Sequence, residues 1–317
     1  MTRIAVLDDY AHAAAESADW DALDAEVVFF SDHLADEDAL AERLAGFDVL
    51  CLMRERTPLP ASLIARLPAL RLVVTSGMRN ASVDAAALAE RGIPLTGTTG
   101  GSLATAELTW ALILGLLRHL PSEEAAMRAG GWQTTVGREL RGRTLGILGL
   151  GNLGTAVARV GLAFGCDVIA WSEHLTEERA AEAGVRRVER DELFRGSDIL
   201  SIHLVLSGRT RGLVGAEEIG LMKPGAVLVN TARGPIVDEP ALIAALRTGR
   251  IAGAALDVFD TEPLPADHPL RALPNVVLTP HLGYVTEETF REFYPQTVED
   301  VAAWMAGAAI RVIDPPR

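Results

Sequence analysis

Three residues of this chain could carry acid–base and anion chemistry together. Arg233 stands in Leu-Val-Asn-Thr-Ala-Arg-Gly (228–234), Glu262 in Asp-Val-Phe-Asp-Thr-Glu-Pro (257–263) and His281 in Leu-Thr-Pro-His-Leu-Gly (278–283). A guanidinium is a planar fork that holds a carboxylate through two parallel bonds. That grip also orients the carbon next to the carboxylate, and orientation lowers a barrier. A histidine can donate a proton to a carbonyl and take it back from a hydroxyl at neutral pH. A neighbouring glutamate favours the imidazolium and fixes the tautomer. Singly, each has a plainer reading: a solvated surface arginine, a Thr-Glu-Pro turn, a structural Pro-His. All three, however, follow predicted strands on a chain that also carries Gly149-Leu-Gly-Asn-Leu-Gly154.

A bare G-x-G-x-x-G is weak evidence. Here it follows an apolar strand and opens a helix, the setting that gives it meaning. Gly149, Gly151 and Gly154 allow a tight turn and close approach to a pyrophosphate. The amides of Asn152 and Leu153 point at its phosphates from a helix start. The plainer reading is a tight strand–helix turn that binds nothing. The next strand should end in an acid for the ribose hydroxyls of NAD. It ends Trp171-Ser172-Glu173-His174 instead. Ser172 neither attracts a 2′-hydroxyl strongly nor repels a 2′-phosphate. Glu173 repels a phosphate if it points inward, and no arginine follows directly. The expectation is NAD, with NADP possible.

Short apolar runs alternating with amphipathic stretches must position these groups. Ile4–Leu7, Glu26–Phe30, Val49–Met53, Leu72–Thr75 and Pro94–Thr96 read as strands. Asp36–Leu44, Ser62–Leu67 and Val83–Arg91 read as helices between them. That βαβ rhythm implies a parallel sheet covered on both faces. A loop at Thr98–Ser102 precedes an apolar helix predicted over Leu103–Leu120, ending before Pro121. Apolar nearly all round, it must be buried on several sides. It reads as a domain-joining element that also serves a subunit interface, or as an ordinary core helix.

A second series has strands at Leu145–Gly149, Asp167–Trp171, Ile199–His203, Val227–Asn230, Ala254–Val258 and Val276–Thr279. Its helices are Leu153–Phe164, one from Glu177, and Glu239–Thr248. Two further helices, Glu287–Tyr294 and Val298–Met305, close the chain and could pack back on the first series. The expected class is α/β: two doubly wound, Rossmann-like parallel sheets with an interdomain cleft.

At 317 residues two domains are the natural prior, and 49% hydrophobic content supports large cores. A net charge of −14 without a dense basic run argues against nucleic acid and anionic membrane surfaces. Lys223 is the only lysine and sits in a Met-Lys-Pro-Gly turn, which weakens any Schiff-base chemistry. Cys51 and Cys166 have no metal spacing and read as buried thiols, so no metal is expected. The N-terminus reads as a strand rather than a signal peptide. The longest apolar stretch, Leu108–Leu117, is too short to span a bilayer. A cytoplasmic location is expected.

With these motifs in place, the chain resembles the D-isomer-specific 2-hydroxyacid dehydrogenases over nearly its full length. The likeness runs through Ser76-Gly-Met-Arg-Asn80, Thr105-Ala-Glu107, Gly131-Trp132, Glu139–Gly146 and the glycine fingerprint. It continues through His203, Leu221–Gly225, Asn230–Gly234, Ala255–Val258, Thr261–Pro263 and Pro280–Gly283. The resemblance implies a discontinuous substrate-binding domain at 1–100 and 286–317, around an NAD(P)-binding domain at 101–285. It implies Arg233 as carboxylate clamp, His281 as acid/base and Glu262 as its partner.

Asp257 would hold the nicotinamide carboxamide, with Thr105, His203, Thr231, Ala232 and Gly283 around the cofactor. Backbone amides at Gly77, Met78 and Arg79 would meet the substrate, a small 2-oxo or 2-hydroxy acid. A homodimer through the cofactor domain is implied. The chain departs from the family pattern at Ser172, at bulky Met78 and Arg79, and in Leu-Val-Leu after His203. An NAD(H)-sensing, corepressor-like binding protein on the same fold is the alternative from another class, and a structural oligomer with a vestigial site is a third.

Overall fold

The computed structural model describes residues 1–101 and 103–315. Ser102, at the end of the expected loop, and positions 316 and 317 of the expected tail lie outside them. The chain divides into two compact units, Met1–Ser102 with Thr286–Arg317, and Leu103–Val285.

The first unit is built on β1 (Thr2–Val6), β2 (Ala25–Phe29), β3 (Val49–Leu52), β4 (Leu72–Thr75) and β5 (Leu95–Gly97), all parallel, in the order β2-β1-β3-β4-β5. β3 and β4 are buried at every residue. That is why they read as unbroken apolar runs rather than alternating ones. Leu44, Leu50, Leu63, Ile64, Leu67 and Leu88 fill the core against them. Asp36 and Asp84 start their helices by accepting hydrogen bonds from the Ala39 amide (2.8 Å) and the Ala87 amide (2.9 Å).

The two closing helices expected around Pro295 are one helix, Glu287–Met305, with the proline inside it. An interior proline costs ~3 kcal/mol. Phe290, Phe293, Tyr294 and Val301 are buried along this helix, and each buried side chain contributes roughly 1.5–3 kcal/mol. Packing therefore outweighs the break. The following tail runs antiparallel to β5. Ile313 N donates to Leu95 O (2.8 Å) and Gly97 N to Arg311 O (3.1 Å).

The second unit holds β6 (Thr144–Leu148), β7 (Asp167–Trp171), β8 (Arg186–Arg187), β9 (Ile199–Ile202), β10 (Val227–Asn230), β11 (Gly253–Leu256) and β12 (Val276–Leu278). Their order is β12-β11-β10-β9-β6-β7-β8, again all parallel. Both units are thus doubly wound α/β sheets, as the alternating pattern predicts. The strand order reverses between β6 and β9. Ligands of such sheets bind at the carboxyl ends beside that switch point.

The helix expected over Leu103–Leu120 runs over Ala104–Leu117, and a second, unexpected helix, Leu120–Arg128, follows it. His119 turns the chain with φ +54°. Pro121 sits in the first turn of the second helix, where a missing N–H costs nothing. Proline here starts a helix as well as stopping one. In the first helix Trp110, Leu112, Ile113 and Leu117 are buried among Leu145, Ile147, Val157 and Val229. The second helix buries no residue. Among the described residues no helix is long and apolar enough to cross a membrane.

Candidate active site

The glycine loop leaves β6 at the switch point. Gly149 has φ +105°, a left-handed conformation that favours glycine. A Cβ there would stand 2.8 Å from the His203 backbone. A Cβ on Gly154 would strike the Gly149 carbonyl, so this glycine lets helix Asn152–Ala163 close onto the strand. Gly151 is different: a Cβ there meets nothing within 4 Å. Packing inside the protein does not ask for glycine at 151. The room beside the first-turn amides of Asn152 and Leu153 fits a pyrophosphate.

At the other side of the switch point, three strand ends carry the polar groups. His281 follows β12 with φ +55°, rare for a residue with a side chain. Its amide donates to Asp257 O at 2.9 Å. Its Nδ1 lies 2.6 Å from Glu262 Oε2, and the Phe259 amide donates to Glu262 Oε1 at 2.9 Å. Burial alone would push the Glu262 carboxyl up. The hydrogen bond and charge of His281, the Phe259 amide and the charge of Arg233 outweigh it and hold Glu262 below the ordinary glutamate range. Such a glutamate is ionised at neutral pH.

Asp257, after β11, is fully buried. Burial raises its carboxyl, although Thr279 Oγ1 (2.6 Å) and the amides of Leu282 (2.7 Å) and Gly283 (2.9 Å) donate to it. Both its oxygens are thereby engaged with the loop that carries His281. Thr105 Oγ1 donates to Gly283 O (2.8 Å), and Thr109 Oγ1 donates to Thr105 O (2.7 Å) and meets Thr231 Oγ1 (2.8 Å). Helix Ala104–Leu117 thus ties the loops after β10 and β12 together.

Arg233 follows β10, half-buried, and is the residue before the short turn Gly234–Ile236. Asn230 Nδ2 donates to Arg233 O (3.0 Å), and the Ala232 amide to Asn230 Oδ1 (3.0 Å). Gly234 packs on the Phe259 backbone so closely that no Cβ fits. The loops of Arg233 and Glu262 are therefore in contact.

The end of β7 departs from the expectation of a direct ribose acid. Ser172 Oγ accepts from the Leu150 amide at 2.8 Å and so braces the glycine loop. Glu173 Oε2 pairs with Arg209 Nη1 at 3.1 Å. Arg209 is a residue that reading along the sequence misses, because it comes from beyond β9. Burial lowers the His203 imidazole to about 4, so it is neutral, with Nε2 2.8 Å from Ser201 Oγ.

In the first unit Gly77 has φ +89°, and its amide donates to Thr98 Oγ1 at 2.8 Å. That amide is engaged within the unit. Met78 and Arg79 are exposed. Arg54, also overlooked in the sequence, follows β3. Its guanidinium occupies the space a Cβ on Gly77 would need. Its place at the carboxyl end of a central strand is the signal that could have found it.

Known proteins resemble this chain in sequence and fold. Residues 110–283 match the family model described as "D-isomer specific 2-hydroxyacid dehydrogenase, NAD binding domain". A glyoxylate reductase of Aeropyrum pernix is 44% identical over 255 residues, 77% of this chain and 76% of that protein. A D-3-phosphoglycerate dehydrogenase of Bacillus subtilis is 38% identical over 272 residues, 85% of this chain. The match spans 51%, about half, of that longer relative. Among solved structures, a phosphoglycerate oxidoreductase from Vibrio cholerae superimposes with a TM-score of 0.91 at 37% identity, over 97% of this chain and 100% of that one. The chain belongs to the D-isomer specific 2-hydroxyacid dehydrogenase family. It is an oxidoreductase of that family, with the family's NAD-binding domain. A corepressor reading finds no support among these relatives.

Proposed function

We propose that this protein interconverts a small 2-oxo acid and its D-2-hydroxy acid, with His281 and Glu262 as the acid/base pair and Arg233 as the carboxylate clamp. The observation that carries the proposal is the 2.6 Å contact between His281 Nδ1 and an ionised Glu262, on a loop pinned by Asp257. Glu262 occupies Nδ1, which directs Nε2 toward the reacting oxygen. In reduction, Nε2–H donates its proton to the carbonyl oxygen as the imidazolium. In oxidation, neutral Nε2 takes the hydroxyl proton. Arg233 holds the substrate carboxylate in two parallel bonds and aligns C2. Bound NAD(H), or NADP(H), supplies or accepts the hydride. Asp257, with Thr105, Thr231, Ala232 and Gly283, supports the nicotinamide end, and Gly149–Gly154 holds the pyrophosphate.

Substrate binding is assigned to the unit of residues 1–102 and 286–317, with Met78 and Arg79 shaping chain-length preference. The relatives' names make glyoxylate and D-3-phosphoglycerate the first compounds to test. A homodimer is part of the reading. Leu120, Met127, Trp132 and Val136 are more than half exposed on a segment whose helix buries nothing, and a second copy would cover them. The test is a steady-state panel of 2-oxo acids with each reduced cofactor, in wild type and Arg233→Lys. The variant keeps the charge but loses the fork, so kcat/KM should fall about ten- to a hundred-fold, the worth of one charge-assisted contact. Wild-type kcat/KM in Arg233→Lys removes the clamp.

A further inference from the structure

The contact between Glu173 and Arg209 joins two segments that flank the glycine loop. β7 and β9 pair with opposite sides of β6. The chain leaves β7 through Ser172 and Glu173, and leaves β9 through His203 toward Arg209. Gly149–Gly154 begins at the end of β6, between these exits. A dinucleotide seated there places its adenosine ribose beside the end of β7. The nearer groups are neutral: Ser172 Oγ already accepts from Leu150, and His203 carries no charge at neutral pH. Glu173 and Arg209 are the charged pair at this end, 3.1 Å apart, and both side chains are more than half exposed.

We propose that Glu173 and Arg209 together select between the two nicotinamide dinucleotides. Arg209 is the group that receives an adenosine 2′-phosphate, and Glu173 is the group that holds Arg209 when no phosphate is present. This rests on the dinucleotide reading of the site. An exposed ion pair is weak, so it exchanges readily. A guanidinium and a phosphate make a stronger, two-pronged contact. The backbone beneath Arg209 is held: Thr210 N and Arg211 N donate to Ser207 O, and Ser207 N donates to Thr210 Oγ1. Only the side chain has to move. With NAD the pair stays closed and Glu173 remains available to ribose hydroxyls. With NADP the arginine turns to the phosphate, which offsets the repulsion from Glu173. The wild type accordingly accepts both cofactors.

The experiment is an equilibrium titration of wild type, Arg209→Gln and Glu173→Gln, each first shown to be folded by circular dichroism. The probes are NADH, NADPH, AMP and adenosine 2′,5′-bisphosphate. Arg209→Gln should weaken NADPH and the bisphosphate about ten-fold, the worth of one charge-assisted contact, and leave NADH and AMP within about two-fold. Glu173→Gln should tighten NADPH by a few-fold. Salt should weaken NADPH more steeply than NADH in wild type, and this difference should vanish in Arg209→Gln. An NADH-to-NADPH affinity ratio unchanged in Arg209→Gln overturns the selector role while leaving the dinucleotide site intact. Binding of none of the four probes by the folded wild type overturns the dinucleotide reading itself, and the selector with it.

Discussion

Glu262 and Glu173 are both glutamates beyond strand ends of one sheet; Glu262 faces an imidazole and Glu173 a guanidinium. Glu262 meets His281 at 2.6 Å with side chains 27% and 16% exposed, and Glu173 meets Arg209 at 3.1 Å with side chains 53% and 71% exposed. Burial makes the first contact expensive to leave half-made, since an unpaired buried charge costs several kcal/mol. The carboxylate and imidazole there hold each other in place, and the backbone of Phe259 and Asp257 adds to the clamp. Water and salt screen the second contact, so either partner can be exchanged for a ligand group at small cost. The same residue type thus makes a sheltered contact in one place and a solvent-screened one in the other.

Removing the fixed partner should have the largest effect. His281→Ala should lower kcat by roughly 10²–10⁴-fold, the usual worth of positioned acid/base catalysis, with NADH affinity nearly unchanged. Full turnover in that variant would make the 281–262 contact merely structural. Glu262→Gln tests the charge at constant shape. The carboxylate favours imidazolium, so the pH–rate limb that reports the pair should move to lower pH. A profile that superimposes on wild type would show that the charge is idle.

Asp300 sharpens the comparison from the first unit. Burial raises its carboxyl to about 6, even though Arg311 Nε lies 2.8 Å away and lowers it in part. A raised carboxyl contributes stability that is present below the unfolded value and is lost as pH rises through the folded one. Between pH 4 and 7 the wild-type Tm should therefore fall by a few degrees relative to Asp300→Asn, which lacks this titration. Parallel Tm-against-pH curves would show that the pair with Arg311 offsets the burial completely.

The smallest effect is expected at the exposed contact. Glu173→Gln and Arg209→Gln should each leave Tm within about 2 °C of wild type, since exposed pairs contribute at most about 1 kcal/mol. A drop of 5 °C would mean the contact is structural and not free to exchange.

Much of this site is written locally in the chain. Gly149, Gly151 and Gly154 sit between a strand and a helix, and Arg233, Glu262 and His281 each follow a short apolar run. The strands of both sheets other than β8 were legible as short apolar runs, whereas β8 is a pair of arginines that no apolar pattern marks. Helix limits at prolines were not legible. Pro121 opens a helix where it was expected to close one, and Pro295 sits inside a helix where a break was expected. The second outcome depends on packing that no local pattern records, whereas the first follows from a proline fitting the first turn of a helix as well as the position after one. Arg209 was illegible for a topological reason. It meets Glu173 because β7 and β9 both flank β6, and no spacing along the sequence states that. The amide of Gly77, expected to face a ligand, is engaged by Thr98, whose position follows only from the pairing of β4 with β5.

The antiparallel tail along β5 bears on how this protein can be handled. β5 ends its sheet, and the residues from Arg311 to Ile313 bond to the strand's free side. A row of open strand amides and carbonyls is a template for pairing with another chain. Shortening the protein ahead of Arg311 would bare that row and strip Asp300 of its cation in one cut. Expression vectors for this chain should keep the tail intact and place any fusion partner beyond it on a flexible spacer.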